Sequence, residues 1–195
     1  NNFCAEEKAE AQSRGISVYE VCNEIIEKLP PGSTNIIFHP FLFGSNVQST
    51  ARAGFYGIAG WHDKRHMLRA VYEGVVYGHL SHIEKLRSAG IRLESARFTG
   101  GGARSRVWSQ MFADTINISM EVVNGEEMGA RGAAMTAGIG AGVYRDYADA
   151  VAQCVRVTGR FQPDAEATPI YLERFAEHRH LIQIMQDAWN RLNKL

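Results

Sequence analysis

Neither sign of charge dominates this chain: 21 lysines and arginines stand against 21 aspartates and glutamates. Nucleic acids and anionic membrane surfaces reward a basic excess, so neither is expected as a partner. Long apolar runs are also missing. None nears the roughly 20 residues that span a bilayer, and no basic start leads into an apolar segment as in a signal peptide. Cysteine is scarce, and Cys4, Cys22 and Cys154 form no CxxC pair. Reduced thiols in a cytoplasmic protein are therefore expected, not disulfides or a zinc site. Internal repeats and low-complexity linkers are absent too. The chain begins Asn1-Asn2-Phe3 without an initiator methionine, a start that suits a piece of a longer protein.

What is present is the profile of a globular protein: 45% hydrophobic and 22% charged residues. At 195 residues it can bury one sizeable core or two small ones. Residues 1–16 read as a solvated helix or loop. Ser17 and Glu20 form a capping box ahead of Val18, Val21, Cys22, Ile25 and Leu29, predicting a helix over 17–29. Asn35–Leu42 reads as a buried strand, and 43–60 as a long loop with a brief strand near Phe55. Asp63 caps a long helix over 64–88 with the stripe Met67, Leu68, Val71, Val75, Leu80, Ile83 and Leu86. On it Ala70, Gly74 and Gly78 recur every four residues, which predicts close backbone packing. Strands are expected at 93–98 and 118–123, with a helix between them carrying Val107, Trp108, Met111, Phe112 and Thr115. A helix of small residues follows over 127–141, stopped by Gly142, and then a short one at 147–151. Residues 155–167 read as irregular. Thr168 as cap and Pro169 as first residue open a final helix with the stripe Leu172, Phe175, Ile182, Met185, Trp189 and Leu192. The pattern is α/β, a mixed or parallel sheet flanked by helices.

The stretch FTGGGARSRVW, Phe98–Trp108, carries the chemistry. A strand that turns into a helix through glycines aims backbone N–H groups at the positive end of the helix dipole, where phosphate binds. Ser105 adds a hydroxyl donor, and Arg104 or Arg106 a charge. The stretch is neither GxxxxGK[ST], for want of a lysine, nor a regular GxGxxG. From spacing alone it is either a phosphate cradle or a tight turn. Gly129, Ala130, Gly132, Ala133 and Ala134 present a shallow face that suits a flat ring or tight packing on a sheet. Asp114 reads as a solvated carboxylate within reach of a metal–phosphate group. The pairs His62/His66 and His79/His82 lack a third ligand, so no metal site is assigned. No Ser/His/Asp or Cys/His grouping is legible.

Three blocks resemble the FGGY carbohydrate kinases. Ala53–Gly74 is similar to that family's second signature, through Gly57-Ile58, His66, Met67, Ala70 and Glu73. Gly100–Asp114 resembles its nucleotide loop and following helix. Glu127 with Gly132-Ala133-Ala134, continued by Gly142–Asp146, resembles its next block. Pro40–Asn46 stands where many relatives carry Gly-Glu-Arg and, with Tyr72–Val76, points to the branch acting on L-xylulose.

The resemblance implies an actin-like, ribonuclease-H-like fold and makes 1–195 the C-terminal, nucleotide-binding lobe of a two-lobe sugar kinase. The N-terminal lobe, absent here, would share the pentulose substrate. ATP and Mg2+ are the implied cofactors, and a homodimer is among the expected assemblies. Gly100, Gly101, Gly102 and Ala103 would hold phosphates and Gly132 and Ala133 would flank the nucleoside, with Arg106 and Glu127 as further contacts. Arg131 would touch the base or face solvent. The family's catalytic aspartate precedes the matched region, so no catalytic residue is carried over. Two other readings stay open. One is a non-catalytic actin-like nucleotide-binding module. The other is a dinucleotide-dependent oxidoreductase with Glu121 or Glu126 on the ribose.

Overall fold

The computed structural model describes residues 3–45, 48–125 and 127–194; Asn46 and Glu126, named above, lie outside them. Helix α1 (Ala5–Arg14) turns through Gly15, in the left-handed conformation, into α2 (Val18–Glu27). The Ser17/Glu20 capping box forms as read, with Glu20 Oε2 accepting from the Ser17 N–H at 2.7 Å. A small antiparallel ribbon pairs β1 (Ile37–His39) with β2 (Gly54–Tyr56). The long helix α3 (Lys64–Ser88) starts on Asp63, whose carboxylate accepts from the N–H groups of Arg65 and His66.

The main sheet has the order β3-β4-β5. Strand β3 (Ser95–Phe98) leads through a 3-10 turn, Gly101–Arg104, into α4 (Arg106–Ile116) and then β4 (Ser119–Val123), which runs parallel to β3. Helices α5 (Met128–Gly140) and α6 (Tyr147–Cys154) follow. Strand β5 (Val157–Phe161) then pairs antiparallel with β4. This corrects the irregular reading of 155–167. Val157-Thr-Gly-Arg-Phe161 is an exposed edge, and cross-strand pairs rather than apolar content hold it: Glu121 of β4 meets both Arg160 and Arg97.

The last helix also differs. It splits into α7 (Ala167–Ile184) and α8 (Gln186–Leu192), and Thr168 does not cap it. Asp164 accepts from the N–H groups of Glu166 and Ala167, while the Thr168 hydroxyl donates to the Asp114 carbonyl at 2.8 Å. The buried stripe is Tyr171, Phe175, His178 and Ile182, continuing to Trp189, whereas Leu172 and Leu192 are exposed. The main core joins Cys22 and Ile26 of α2, Val76 and Leu80 of α3, Met111 and Phe112 of α4, Met120, Phe161 and Phe175. A smaller core gathers Ala51, Ile182 and Trp189.

Helix α3 is buried almost all round between Leu68 and Tyr77, so its apolar stripe is wider than periodicity showed. Glu73 lies inside, 1% exposed, between Arg69 at 2.8 Å and Arg174 at 3.1 Å. Those arginines bond onward to the carbonyls of Leu29 and Ile36 and to the Tyr171 hydroxyl. The signature glutamate thus pins α2, β1 and α7 onto α3. Among the described residues, no helix is long and apolar enough to cross a membrane.

Candidate functional site

The glycine turn is a wall between two cavities. Gly100 has a positive φ of 86°, which glycine alone adopts without strain, and it starts the 3-10 turn by accepting from the Ala103 N–H at 3.1 Å. Gly101 and Gly102 come first in that turn, where N–H groups have no partner inside the helix. Neither meets an acceptor among the described residues. A Cβ on Gly100 or Gly101 would meet no atom within 4 Å, whereas one on Gly102 would lie 2.9 Å from Phe98 Cζ and 3.3 Å from the Trp108 ring. Gly100 and Gly101 therefore face open space, and Gly102 packs inward.

On one side of the turn lies a cavity of about 600 Å³, walled by Tyr19, Glu20 and Asn23 of α2, Tyr72 of α3, Trp108 of α4, and Gly101, Gly102 and Arg104. Tyr72 and Trp108 pack as a tilted pair with ring centroids 4.7 Å apart, while Tyr19 stands 73% exposed at the rim. Burial pushes the Tyr72 phenol up, so it keeps its proton at neutral pH and donates to Asn23 Oδ1 at 3.2 Å. On the other side is a cavity of about 470 Å³, lined by Thr99, Gly100, Ala103 and Arg104, the end of β4, Met128 and Thr158.

The structure brings only part of the expected set together. Gly100 and Ala103 line the second cavity, and Gly101 and Gly102 the first. Glu127 adjoins Met128 at the start of α5 and is exposed, with no capping bond. Gly132 and Ala133 lie about a turn further along and line neither cavity. Their face is not packed on the sheet: of α5 only Met135 is buried, and the helix rests on α6. Arg106 points elsewhere, its guanidinium 5.6 Å over the Phe161 ring.

Two auxiliary readings are corrected. Ser105 is buried and its hydroxyl is spent, accepting from the Trp108 N–H and donating to Asn23 Oδ1 at 2.7 Å. Asp114 is buried, accepting from the Asp164 N–H and the Gln110 amide, and opens toward a different cavity from the glycines. Arg131, half-buried, folds back on the Asn124 carbonyl at 2.5 Å and braces the turn into α5. The dinucleotide reading loses one of its two acidic candidates. Glu121 lies inside β4 rather than at its end, and Arg160 first, then Arg97, hold its carboxyl below the usual range. Glu126 is outside the described residues. His62 and His66 face each other with centroids 5.5 Å apart. No group of three metal-ligating side chains forms among the described residues.

Tyr19, Asn23, Tyr72 and Trp108 are the wall residues that sequence reasoning did not single out. Tyr19 and Asn23 are four apart on α2 and outside its apolar stripe, a signal that was legible. Trp108 reads as part of an apolar helix stripe, and Tyr72 only as the first residue of the Tyr72–Val76 segment that points to the branch.

Residues 3–141 match the family model for the C-terminal domain of the FGGY family of carbohydrate kinases. The chain is 35% identical over 184 residues to an L-xylulose/3-keto-L-gulonate kinase of Escherichia coli, covering 94% of this chain and 37% of that one. A ligand-bound xylulose kinase from Lactobacillus acidophilus superposes with a TM-score of 0.80 at 20% identity, over 95% of this chain and 39% of that one. Plasmodium falciparum glycerol kinase with ADP superposes at 0.71 with 26% identity, over 87% and 35% of the two chains. The chain thus spans little more than a third of these relatives, and it shares with them the actin-like fold expected above. It belongs to the FGGY family of carbohydrate kinases, of which it carries the C-terminal domain.

Proposed function

We propose that this domain is the ATP-binding lobe of a kinase that phosphorylates a ketopentose such as L-xylulose, with an N-terminal lobe completing the sugar site. One observation carries the nucleotide reading: two unpaired N–H groups, on Gly101 and Gly102, stand at the edge of a cavity with aromatic walls. The N–H groups suit phosphate oxygens, and the wall of Tyr72, Trp108 and Tyr19 suits a base. The nucleoside then lies on the α2 side of the turn, rather than along Gly132 and Ala133. Gly100 and Ala103 close the turn from behind, and Glu127 and the open face of α5 border the cleft. ADP in the related glycerol kinase and L-xylulose in the name of the Escherichia coli relative support the two halves of the reading.

ATP supplies the γ-phosphoryl group, which passes to a sugar hydroxyl. Phosphoryl transfer depends chiefly on positioning and charge stabilisation, and this chain's share is to bind and orient. The turn fixes the phosphates, Tyr72 and Asn23 brace α2 against it, and closure of two lobes excludes water. Mg2+ enters with the phosphates, and the base that orients the sugar hydroxyl belongs to the other lobe. Family membership favours this over a nucleotide-binding module without transfer activity.

Gly101→Val is the clean test, because its Cβ meets nothing and its backbone is not left-handed. In the full-length protein the KM for ATP should rise at least about tenfold, equivalent to about 1.4 kcal/mol, with an unchanged melting temperature. An unaltered KM would remove the turn from the site. Gly102→Val is less informative, since it also presses on Phe98 and Trp108.

A further inference from the structure

Most polar side chains around the cavity beside Gly101 and Gly102 are already engaged with the protein. Ser17 and Glu20 are held in the capping box of α2. The Trp108 Nε1–H donates to the Tyr72 carbonyl at 3.2 Å. Ser105 Oγ accepts from the Trp108 N–H and gives its own proton to Asn23. Half-buried Asn23 is different. Its Oδ1 accepts from two hydroxyls, Ser105 at 2.7 Å and Tyr72 at 3.2 Å, while its Nδ2 meets no acceptor among the described residues. The hydroxyls decide which way the amide faces. Ser105 Oγ already takes a hydrogen bond from the Trp108 N–H, so its proton goes to an acceptor, and the amide oxygen is the one within reach. The N–H2 group is left with both of its protons. Asn23 stands where the cavity of the glycine turn meets a smaller one of about 300 Å³ on the same side, which shares Glu20 and Arg104 with it.

We propose that Asn23 is the base-reading residue of this domain: its amide N–H2, oriented by Ser105 and Tyr72, donates to a ring nitrogen of the adenine. The inference rests on the nucleotide reading above and adds a specificity contact to it. The aromatic wall of Tyr72, Trp108 and Tyr19 grips the faces of any flat ring but does not tell one ring from another, because every base has a π-face. Discrimination needs a donor or acceptor aimed at the ring edge, where adenine carries acceptor nitrogens. An amide whose oxygen is already held by two hydroxyls is oriented before the ligand arrives, so little rotamer freedom is lost on binding. Ser105 also caps α4 directly after the glycine turn. The base contact and the phosphate contact therefore share one hydrogen-bonded support, running from Asn23 through Ser105 to the turn.

The test is calorimetric titration of the full-length protein with ATP and with its 1-deaza, 3-deaza and 7-deaza analogues, each of which replaces one ring nitrogen by C–H. One analogue should bind the wild type about fivefold or more weakly than ATP, the loss expected for one hydrogen bond, while the other two bind much as ATP does. Asn23→Asp keeps an oxygen for Ser105 and Tyr72 but turns an acceptor toward the base. ATP should then weaken at least about tenfold, and the disfavoured analogue should bind no worse than ATP. Asn23→Ala, which removes the donor, should cancel the discrimination in the same way and serves if the aspartate variant does not fold. Three analogues that bind the wild type as ATP does overturn the assignment and leave the nucleotide reading standing. A penalty that survives in the Asn23 variants belongs to another group and overturns it too. Failure of ATP itself to bind the wild type would instead remove the nucleotide reading, and this inference with it.

Discussion

Glu73 shows how a residue in a functional signature can serve the fold. Its carboxylate, 1% exposed, accepts from two arginines that reach α2 and β1. Burying a charge is costly unless it is paired, and removing one partner strands the others. Glu73→Ala should therefore destabilise the protein by about 3–5 kcal/mol, measured by urea unfolding. A loss below about 1 kcal/mol would mean that solvent reaches the arginines. The glycines teach the same lesson with the opposite sign. Gly102 packs inward, while Gly101 leaves space outward, a distinction invisible in three identical letters.

At the scale of elements, α3 separates two glycines that sequence spacing treated alike. A Cβ on Gly74 would sit 2.3 Å from the Phe38 carbonyl oxygen, so this glycine lets β1 lie on the helix. A Cβ on Gly78 would meet nothing within 4 Å. Gly74→Ala should cost about 1–3 kcal/mol through overpacking. Gly78→Ala should stabilise by up to about 1 kcal/mol through helix propensity. Thermal unfolding of both variants checks the pair, and equal shifts would contradict the assignment. The starts of α2 and α3 were legible because capping is local: Ser17 with Glu20, and Asp63, behave as their side chains dictate. Strand β5 was not, because an exposed edge with Gly159 at its centre is a strand only by pairing with β4. The stripe of α7 kept Phe175 and Ile182, but Tyr171 is buried in place of Leu172, and His178, a polar residue that an apolar period does not count, is buried beside them.

Across the molecule, the second core ties β1 to α7 and α8 through two buried histidines. The rings of His39 and His178 meet edge to face at 4.5 Å, with Trp189 and Phe41 around them and Tyr56 and Tyr77 at 5.0 and 5.4 Å. His39 Nε2 lies 3.0 Å from the His178 carbonyl, and both nitrogens of His178 lack a partner among the described residues. Burial lowers both pKa values, His178 to about 3, whereas each titrates near about 6.5 when unfolded. Both are therefore neutral in the fold. Their contribution is complete above pH of about 6.5 and declines as pH falls toward the folded values, for His178 by about 1.4 kcal/mol per pH unit. Urea unfolding at pH 7 and pH 5 should show this loss, and His178→Phe should reduce the slope. An unchanged slope would place the acid sensitivity elsewhere.

Local chemistry determined the starts of α2 and α3, the α/β class and the glycine turn, because a cap, an apolar period or a run of glycines acts over a few residues. Three blocks in order also pointed to the family. What the cavity is made of was decided only in three dimensions. Tyr19, Tyr72 and Trp108 come from three helices, and only packing around Asn23 and Ser105 turns them toward one space. Spacing along the chain reports neighbours on one helix face, whereas a site built across helices exists only once their packing has set the distances.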